Sequence, residues 1–215
     1  MTYIELVNKV LVRLREDPVE NFNTGTMGPL ISALVQDAYR IVEDAHDWSV
    51  LREDVTVPTV ASQDYIELTD TPVDSMIYDA YIAGTTILRK QSKEWLMRRK
   101  VYGGVNTARP DYYVISGANA TTGDLKVELY PTPDDVYNVT FQTYKRGTSP
   151  TVVSDVIRLP TDPILHLSLA FATRERGETG GTSAAEYFQM ADLSLGQAIA
   201  RDANHRPDEI TLYAP

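Results

Sequence analysis

The sequence predicts an α+β fold, with N- and C-terminal helices forming a helical bundle and an antiparallel β-sandwich or barrel-like domain inserted between them. Apolar residues recur at helical spacing near both ends of the chain, whereas apolar and polar residues alternate through the middle. Pro, Gly, Asp and Asn separate the alternating runs, as is typical of short strands joined by turns. These patterns place the bundle at 1–48 and 161–205, the insert at 49–160 and an extended arm at 206–215.

Two helices are predicted ahead of Trp48. Thr2 and Glu5 match the S/T-x-x-E capping box that satisfies the first free amides of a helix, and the apolar stripe behind them runs toward Asp17-Pro18. The second helix begins at Gly28-Pro29, because the missing N–H of proline costs nothing in a first helical turn. Both helices therefore carry their own start signals.

The insert contains six to eight strand candidates and one short helix. Pro58 cannot donate to a ladder, so the run around Val55 and Val57 predicts an edge strand. Ser92 is a plausible N-cap for a helix near 92–102. The other candidates are DYIEL, MIYDAYIAG, TTILR, DYYVISG, LKVELYP and YNVTFQTYKRG. The last two, joined by YPTPDD, predict a β-hairpin over Leu125–Gly147, with a turn stiffened by its prolines.

Two more helices are predicted after Pro160, from DPILHLSLAFATRERGE and AEYFQMADLSLGQAIARDANH. The first has Pro163 near its start and Gly177 near its end, which are the positions these residues favour. The final stretch, RPDEITLYAP, has no helical period and contains two prolines. It is predicted to be an extended arm suited to docking on a partner.

The charge distribution is uneven. The chain has 20 basic and 30 acidic residues, a formal net charge of −10. The segment LRKQSKEWLMRRK, Leu88–Lys100, has six basic residues and one acidic residue, so the remainder carries −15. A strongly acidic protein does not grip nucleic acid over its whole surface. The basic segment fits a solvated helix face, or a contact with an acidic neighbouring subunit or DNA.

No catalytic, cofactor-binding or metal-binding residues are predicted, and the chain is not expected to be an enzyme. It has no cysteine, which excludes thiolate chemistry, and no phosphate-binding loop, dinucleotide fingerprint or nucleophile elbow. The three histidines do not show zinc-ligand spacing. No stretch is apolar for long enough to span a membrane, so no membrane partner is predicted. Two weaker alternatives are a carbohydrate- or receptor-binding module using Tyr112 and Tyr113, and a hydrolase using Asp134 or Asp135.

The order of these segments resembles the head-to-tail adaptor proteins of short-tailed bacteriophages, the group that includes tail tubular protein A. The resemblance covers nearly the whole chain. It is carried by the helices that end in Trp48 and by four segments: LREDVTVPTVASQDYIEL, LKVELYPTPDDVYNVTFQTYKRG, RLPTDPILHLSLAFATRERGE and PDEITLYAP.

The resemblance implies a structural protein of the virion tail or neck, assembled in the host cytoplasm. It implies a twelve-fold ring of this chain docked under the portal protein, contacts with nozzle or other tail proteins, and a channel through which DNA passes transiently and without specific binding. By analogy the arm would reach the portal, through Arg206, Ile210, Leu212 and Tyr213.

Two further sets of residues are candidates for assembly contacts. Subunit contacts are assigned to the end of the ATRERGE helix and to the basic helix, through Arg174, Glu175, Arg176, Glu178, Arg98, Arg99 and Lys100. Exposed ion pairs are individually weak, so they would select partner geometry rather than hold a ring together. The predicted hairpin would present Thr132, Asp134 and Asp135 to the tail component below.

Overall fold

The computed structural model describes residues 1–84, 86–104, 106–147, 149–176 and 182–204, except the side chains of residues 182 and 183. Within these residues the fold is α+β, with five α-helices and one seven-stranded sheet, so the predicted class is confirmed. The chain divides into a helical unit, Met1–Val50 with Gly147–Pro215, and a sheet unit, Leu51–Arg146. The chain therefore returns to the helical unit before residue 161, the boundary that the sequence indicates.

The helices are α1 (Tyr3–Arg13), α2 (Gly28–Asp44), α3 (Lys93–Gly103), α4 (Thr161–Glu175) and α5 (Thr182–Ala203). The strands are β1 (Arg52–Pro58), β2 (Tyr65–Pro72), β3 (Met76–Ile82), β4 (Thr86–Lys90), β5 (Tyr112–Ala118), β6 (Asp124–Tyr130) and β7 (Asn138–Tyr144). A short 3₁₀ turn at Ser49–Leu51 precedes β1.

The predicted capping box of α1 is confirmed. The Glu5 amide donates to Thr2 Oγ1 at 3.4 Å, and the Thr2 amide donates to Glu5 Oε2 at 2.9 Å. The helix ends at Arg13, before the predicted stop at Asp17-Pro18. The reason is local, because Arg15 has a φ of 61°, in the left-handed region that a continuing helix cannot use.

The core of the helical unit lies around α4, which packs against α1, α2 and α5. Tyr3 is fully buried, and its hydroxyl donates to the Ser32 carbonyl at 2.8 Å. Trp48, predicted to close the second helix, is also buried and donates from Nε1 to the Val42 carbonyl. The segment before α4 adds to this unit, since the Tyr3 amide donates to the Asp155 carbonyl at 2.7 Å. This last bond ties the segment before α4 to the helical unit.

The seven strands form one sheet in the order β1-β7-β3-β4-β5-β6-β2. The two edge strands, β1 and β2, lie next to each other, so the sheet is nearly closed and barrel-like. Its interior is filled by one buried cluster: Ile66, Leu68, Ile77, Ala80, Ile82, Leu88, Tyr113, Leu125, Val127, Leu129, Val139 and Phe141. Pro58 ends β1 at an edge, as its missing N–H predicts.

One strand pair corrects the prediction of an antiparallel sheet. β4 and β5 run parallel, with Arg89 opposite Tyr112 and Lys90 opposite Tyr113. Parallel neighbours need a crossover connection, and α3 lies in the connection between these strands. The predicted short helix is therefore part of a crossover. Its predicted N-cap is confirmed, since Ser92 Oγ accepts from the Trp95 amide at 3.2 Å.

The predicted hairpin over Leu125–Gly147 is wrong. β6 pairs with β5 and β2, whereas β7 pairs with β1 and β3, so the two strands are not neighbours. Both hydrogen-bonding edges of β6 are already occupied, and residues 131–137 therefore carry the chain across to another part of the sheet. Local alternation predicts two strands in sequence but carries no information about which strands pair.

Candidate assembly surfaces

Helix α3 is attached to the sheet unit by its inner face. Leu96 is buried, and the Trp95 ring lies 4.8 Å from the ring of Tyr112 and 5.6 Å from that of Tyr130. Gly103, on the same side of the helix, leaves the Tyr130 hydroxyl 3.6 Å from the position a Cβ would take. The inner face therefore packs against aromatic side chains of β5 and β6.

Lys100 forms a charged contact at the edge of this inner face. Its Nζ donates to Asp64 Oδ2 at 2.6 Å and to Glu128 Oε2 at 2.9 Å. Partial burial lowers the pKa of Lys100, but the bonds to the two carboxylates outweigh this effect and raise the pKa overall. Lys100 thus ties α3 to the sheet unit.

The outer face of α3, defined here as Met97, Arg98, Val101 and Tyr102, is exposed. Met97 is 59%, Val101 72% and Tyr102 87% solvent-accessible. Residues 97 and 101, and residues 98 and 102, are each four apart, so each pair lies on one side of the helix. Three large apolar side chains grouped on one short helix are unusual for a surface without a partner.

The predicted contact residues of this helix are divided between its two faces. Arg98 belongs to the outer face, whereas the Arg99 guanidinium lies 5.4 Å from the centre of the Trp95 ring. Lys100 is bound to its own chain. A role for Arg99 and Lys100 at a subunit boundary stays a prediction. The sequence prediction named only basic residues of this helix and did not include Met97, Val101 and Tyr102. Helical spacing by itself predicts that these three residues lie on one side.

The end of α4 holds the second predicted contact set. The Arg174 guanidinium lies 5.5 Å from the centre of the Phe171 ring. Arg176 donates to the Leu14 carbonyl at 3.0 Å and pairs with the Glu16 carboxylate. Glu175 is exposed. Arg176 therefore has partners within its own chain, and its pairing across a subunit boundary stays a prediction. Glu178 lies outside the described residues.

The predicted tail-facing residues lie in the crossing segment 131–137. The Thr132 amide donates to the Asn106 carbonyl at 3.0 Å, and its carbonyl accepts from the Ala108 amide at 2.9 Å. Asp134 accepts from the Tyr137 hydroxyl at 2.8 Å, and Asp135 accepts from the amide of the next residue. With no hairpin, the prediction that a hairpin presents these residues loses its basis, although a contact with a tail component stays a prediction.

These contacts also bear on the two weaker alternatives. Asp134 and Asp135 stabilise local backbone and a tyrosine, and no pair of carboxyls faces another across a cleft in this segment. Tyr113 is only 1% exposed, and its burial raises its pKa to about 12. Tyr112 packs on Trp95. Tyr112 and Tyr113 therefore do not form the exposed pair that a sugar-stacking platform requires.

Two buried carboxylates accept hydrogen bonds from the backbone amides of Ser49 and Gly147, which lie in the sequence next to the boundaries of the helical unit. Glu43 is 2% exposed; its Oε1 accepts from the Gly147 amide at 2.6 Å and its Oε2 accepts from Arg40 at 2.8 Å. Asp202 is 8% exposed and accepts from the Ser49 amide at 3.1 Å and from the Ser49 hydroxyl at 2.5 Å. We refer to Glu43 and Asp202 as the two connection carboxylates.

His46 completes the contacts around Asp202. Its Nε2 lies 3.1 Å from Asp202 Oδ2, and its ring makes an edge contact with Trp48 at 5.0 Å. Burial acts to raise the pKa of Asp202, but the bonds from Ser49 and His46 outweigh it and lower the pKa overall. His46 thus contributes to a polar cluster with Asp202 and Ser49.

The predicted residues of the arm, Arg206, Ile210, Leu212 and Tyr213, lie outside the described residues. Among the residues that the structure describes, no group of three or more His, Asp or Glu side chains could hold a metal ion. No helix in the described ranges combines the length and apolar character needed to cross a bilayer.

The fold exposes apolar and charged helix faces, which are the kind of surface that assembly contacts cover. The family model described as SU10 adaptor protein, a phage head-to-tail adaptor family, matches residues 1–211. The chain belongs to this family, and the predicted class, a phage connector adaptor, is confirmed. It is a component of the virion that works with other head and tail parts. No curated protein matches the chain.

Proposed function

We propose that this chain is a non-enzymatic adaptor that forms a ring of twelve copies, joins the portal to the tail and lines the channel through which DNA leaves. The observation that carries this proposal is the match to the adaptor family over residues 1–211. The exposed outer face of α3 supports it, since a structural ring needs surfaces that are covered only on assembly.

The charge of the chain is compatible with a DNA channel. A net charge of −10 repels phosphate, so a wall made from this chain would offer few sites at which moving DNA could stick. In this proposal the helices α1, α2, α4 and α5 form a bundle that gives the ring its body. The helical faces buried around α4 supply the rigidity that such a body requires.

The arm is assigned to the portal. Residues 206–215 combine the apolar Ile210, Leu212 and Tyr213 with Arg206, and such alternating segments dock by strand addition or in grooves. The sheet unit is assigned to the nozzle or other tail components. This places the segment with Thr132, Asp134 and Asp135 among the surfaces that a tail protein could contact.

Deletion of residues 207–215 tests the portal assignment. The shortened chain is expected to keep its far-ultraviolet circular dichroism and melting temperature but to lose attachment to portal rings of the same phage, scored by electron microscopy and sedimentation. A chain with the same nine residues in shuffled order is the matched control for charge and composition, and is also expected to fail. Normal attachment of the shortened chain would contradict the role of the arm.

A further inference from the structure

The outer face of α3 has the composition of an interface core. Met, Tyr and Arg are enriched at the buried centres of protein interfaces, and this face has one of each together with Val101. Exposed basic residues also occur close to this face in the sequence, among them Arg89, Lys90 and Lys93. A partner for this segment would therefore combine apolar area with acidic residues.

A surface with these properties exists on the helical unit. On α2, the exposed residues Leu30, Ala33, Asp37, Ile41 and Asp44 recur three or four positions apart and so lie along one side of the helix. We call them the α2 stripe. Leu30 and Ile41 are 39% and 48% exposed, while the opposite side of α2 is buried in the unit's core. The stripe therefore has three apolar residues and two acidic residues.

We propose that the outer face of α3 docks on the α2 stripe of a second copy of this chain, with Arg98 against Asp37 and Val101 against Ile41. This contact rests on the proposed ring and names the surfaces that form it. The two surfaces differ from each other, so the contact is heterologous, and a heterologous contact repeated by rotation generates a ring.

Charge favours a second copy as the occupant. The segment from Leu88 to Lys100 carries +5 and the rest of the chain −15, so two copies attract when this segment of one meets an acidic helix of the other. Complementary charges of this kind set register and orientation more than they add affinity. The apolar residues on both helices would supply the buried area.

The composition of the face argues against DNA as the occupant. Binding to phosphates needs Lys and Arg side chains, but at the centre of this face only Arg98 is basic and its neighbours are apolar. Lys100 is engaged with Asp64 and Glu128. DNA would leave Met97, Val101 and Tyr102 uncovered.

The absence of cysteine makes a direct test possible, because introduced thiols are the only ones in this chain. One chain carries Val101→Cys and a purification tag, the other carries Ile41→Cys, and the two are mixed on portal rings and oxidised. A disulfide-linked pair retained by the tag is expected. Val101→Cys with Val12→Cys, and Ile41→Cys with Val60→Cys, are matched controls at exposed valines and should give at least about tenfold less product.

Charge exchange gives a second, independent measurement. Arg98→Glu and Asp37→Arg are each expected to weaken ring formation by about tenfold or more, and the double variant to regain most of it, because the pair is restored with its signs reversed. Lys9→Glu and Asp192→Arg are the controls, since both positions are exposed and neither belongs to the segment Leu88–Lys100 or to the α2 stripe. Circular dichroism checks that each variant is folded.

The outcomes separate this contact from the proposed function. Rings on the portal without the Val101–Ile41 disulfide, or without sensitivity to Arg98→Glu, would overturn the contact and leave the adaptor role standing. Absence of any attachment of the unaltered chain to portal would overturn the adaptor role itself. If Arg98→Glu weakens binding to a short DNA duplex but leaves ring formation unchanged, the face is a DNA surface and the contact is wrong.

Discussion

The two connection carboxylates of the helical unit and helix α3 of the sheet unit use charged and apolar residues in different ways. In the helical unit, Glu43 and Asp202 are buried and hold backbone amides. In the sheet unit, α3 holds its charged Lys100 at the surface and also exposes Met97, Val101 and Tyr102. Glu43 and Asp202 bind backbone groups of their own chain, whereas the exposed apolar residues of α3 bury little area in the isolated protomer. The comparison separates residues that maintain the protomer from residues available to a partner.

The largest expected effect tests the sheet unit's core against its surface. Phe141 is fully buried in the barrel and its ring lies 5.9 Å from that of Tyr113. Phe141→Ala should lower the free energy of unfolding by about 3–5 kcal/mol, because it removes apolar burial and leaves a cavity. Val101→Ala, on the outer face of α3, should change it by less than about 0.5 kcal/mol. Urea denaturation measures both free energies, and equal losses of stability would contradict the distinction between residues of the buried core and exposed residues of α3.

The next effect concerns the first connection carboxylate. Glu43→Gln keeps the shape of the side chain but removes the negative charge of the carboxylate, which accepts hydrogen bonds from the Gly147 amide and from Arg40. A loss of about 1.5–3 kcal/mol in the free energy of unfolding is expected, as for hydrogen bonds to charged groups. Asp37→Asn, on the exposed side of the same helix, is the control and should be nearly neutral. Faster hydrogen exchange of the Gly147 amide in Glu43→Gln would locate the effect.

The second connection carboxylate gives a smaller, pH-dependent effect. The pKa of Asp202 is lowered in the folded protein, so the folded state binds a proton there less readily than the unfolded chain does. Its contribution is complete above the ordinary aspartate pKa of about 4 and is lost as the pH falls through the lowered value. Asp202→Asn should therefore flatten the acid side of the stability curve and leave its shape above pH about 6 unchanged. Unfolding measured between about pH 3 and 7 checks this, and an unchanged acid limb would contradict the assignment.

The sequence predicts local features of this fold better than distant ones. Thr2 with Glu5, and Ser92 with Trp95, make caps between residues three apart, so the residue types alone identify them. The failed hairpin shows the limit, because β6 and β7 are adjacent in sequence while their partners lie elsewhere in the chain. Asp202 and Ser49 are separated by 153 positions, and no periodicity connects them.

The candidate surfaces show a similar division. The basic character of α3 is visible in the sequence, but its arrangement depends on which side faces the sheet. Trp95 and Leu96 turn inward, and Lys100 follows them to meet Asp64 and Glu128. Met97, Arg98, Val101 and Tyr102 can be recognised as one outer face only when the side of α3 that packs on the sheet is known. Charge counting alone treats Arg98 and Lys100 as equivalent, although they lie on different sides of one helix.

The smallest effect sharpens this difference within α3. Lys100→Gln removes two ion pairs that are more than a third exposed on the lysine side, and such pairs contribute about 0–1 kcal/mol each. Stability should fall by about 1 kcal/mol or less, and high salt should reduce the difference, because mobile ions already screen the pairs in the unaltered chain. Arg98→Gln is the matched control, and it should leave the unfolding free energy unchanged while impairing ring formation. If Arg98→Gln destabilised the protomer as much as Lys100→Gln, or if Lys100→Gln impaired assembly more than Arg98→Gln did, the division of α3 into an attaching face and a docking face would be wrong.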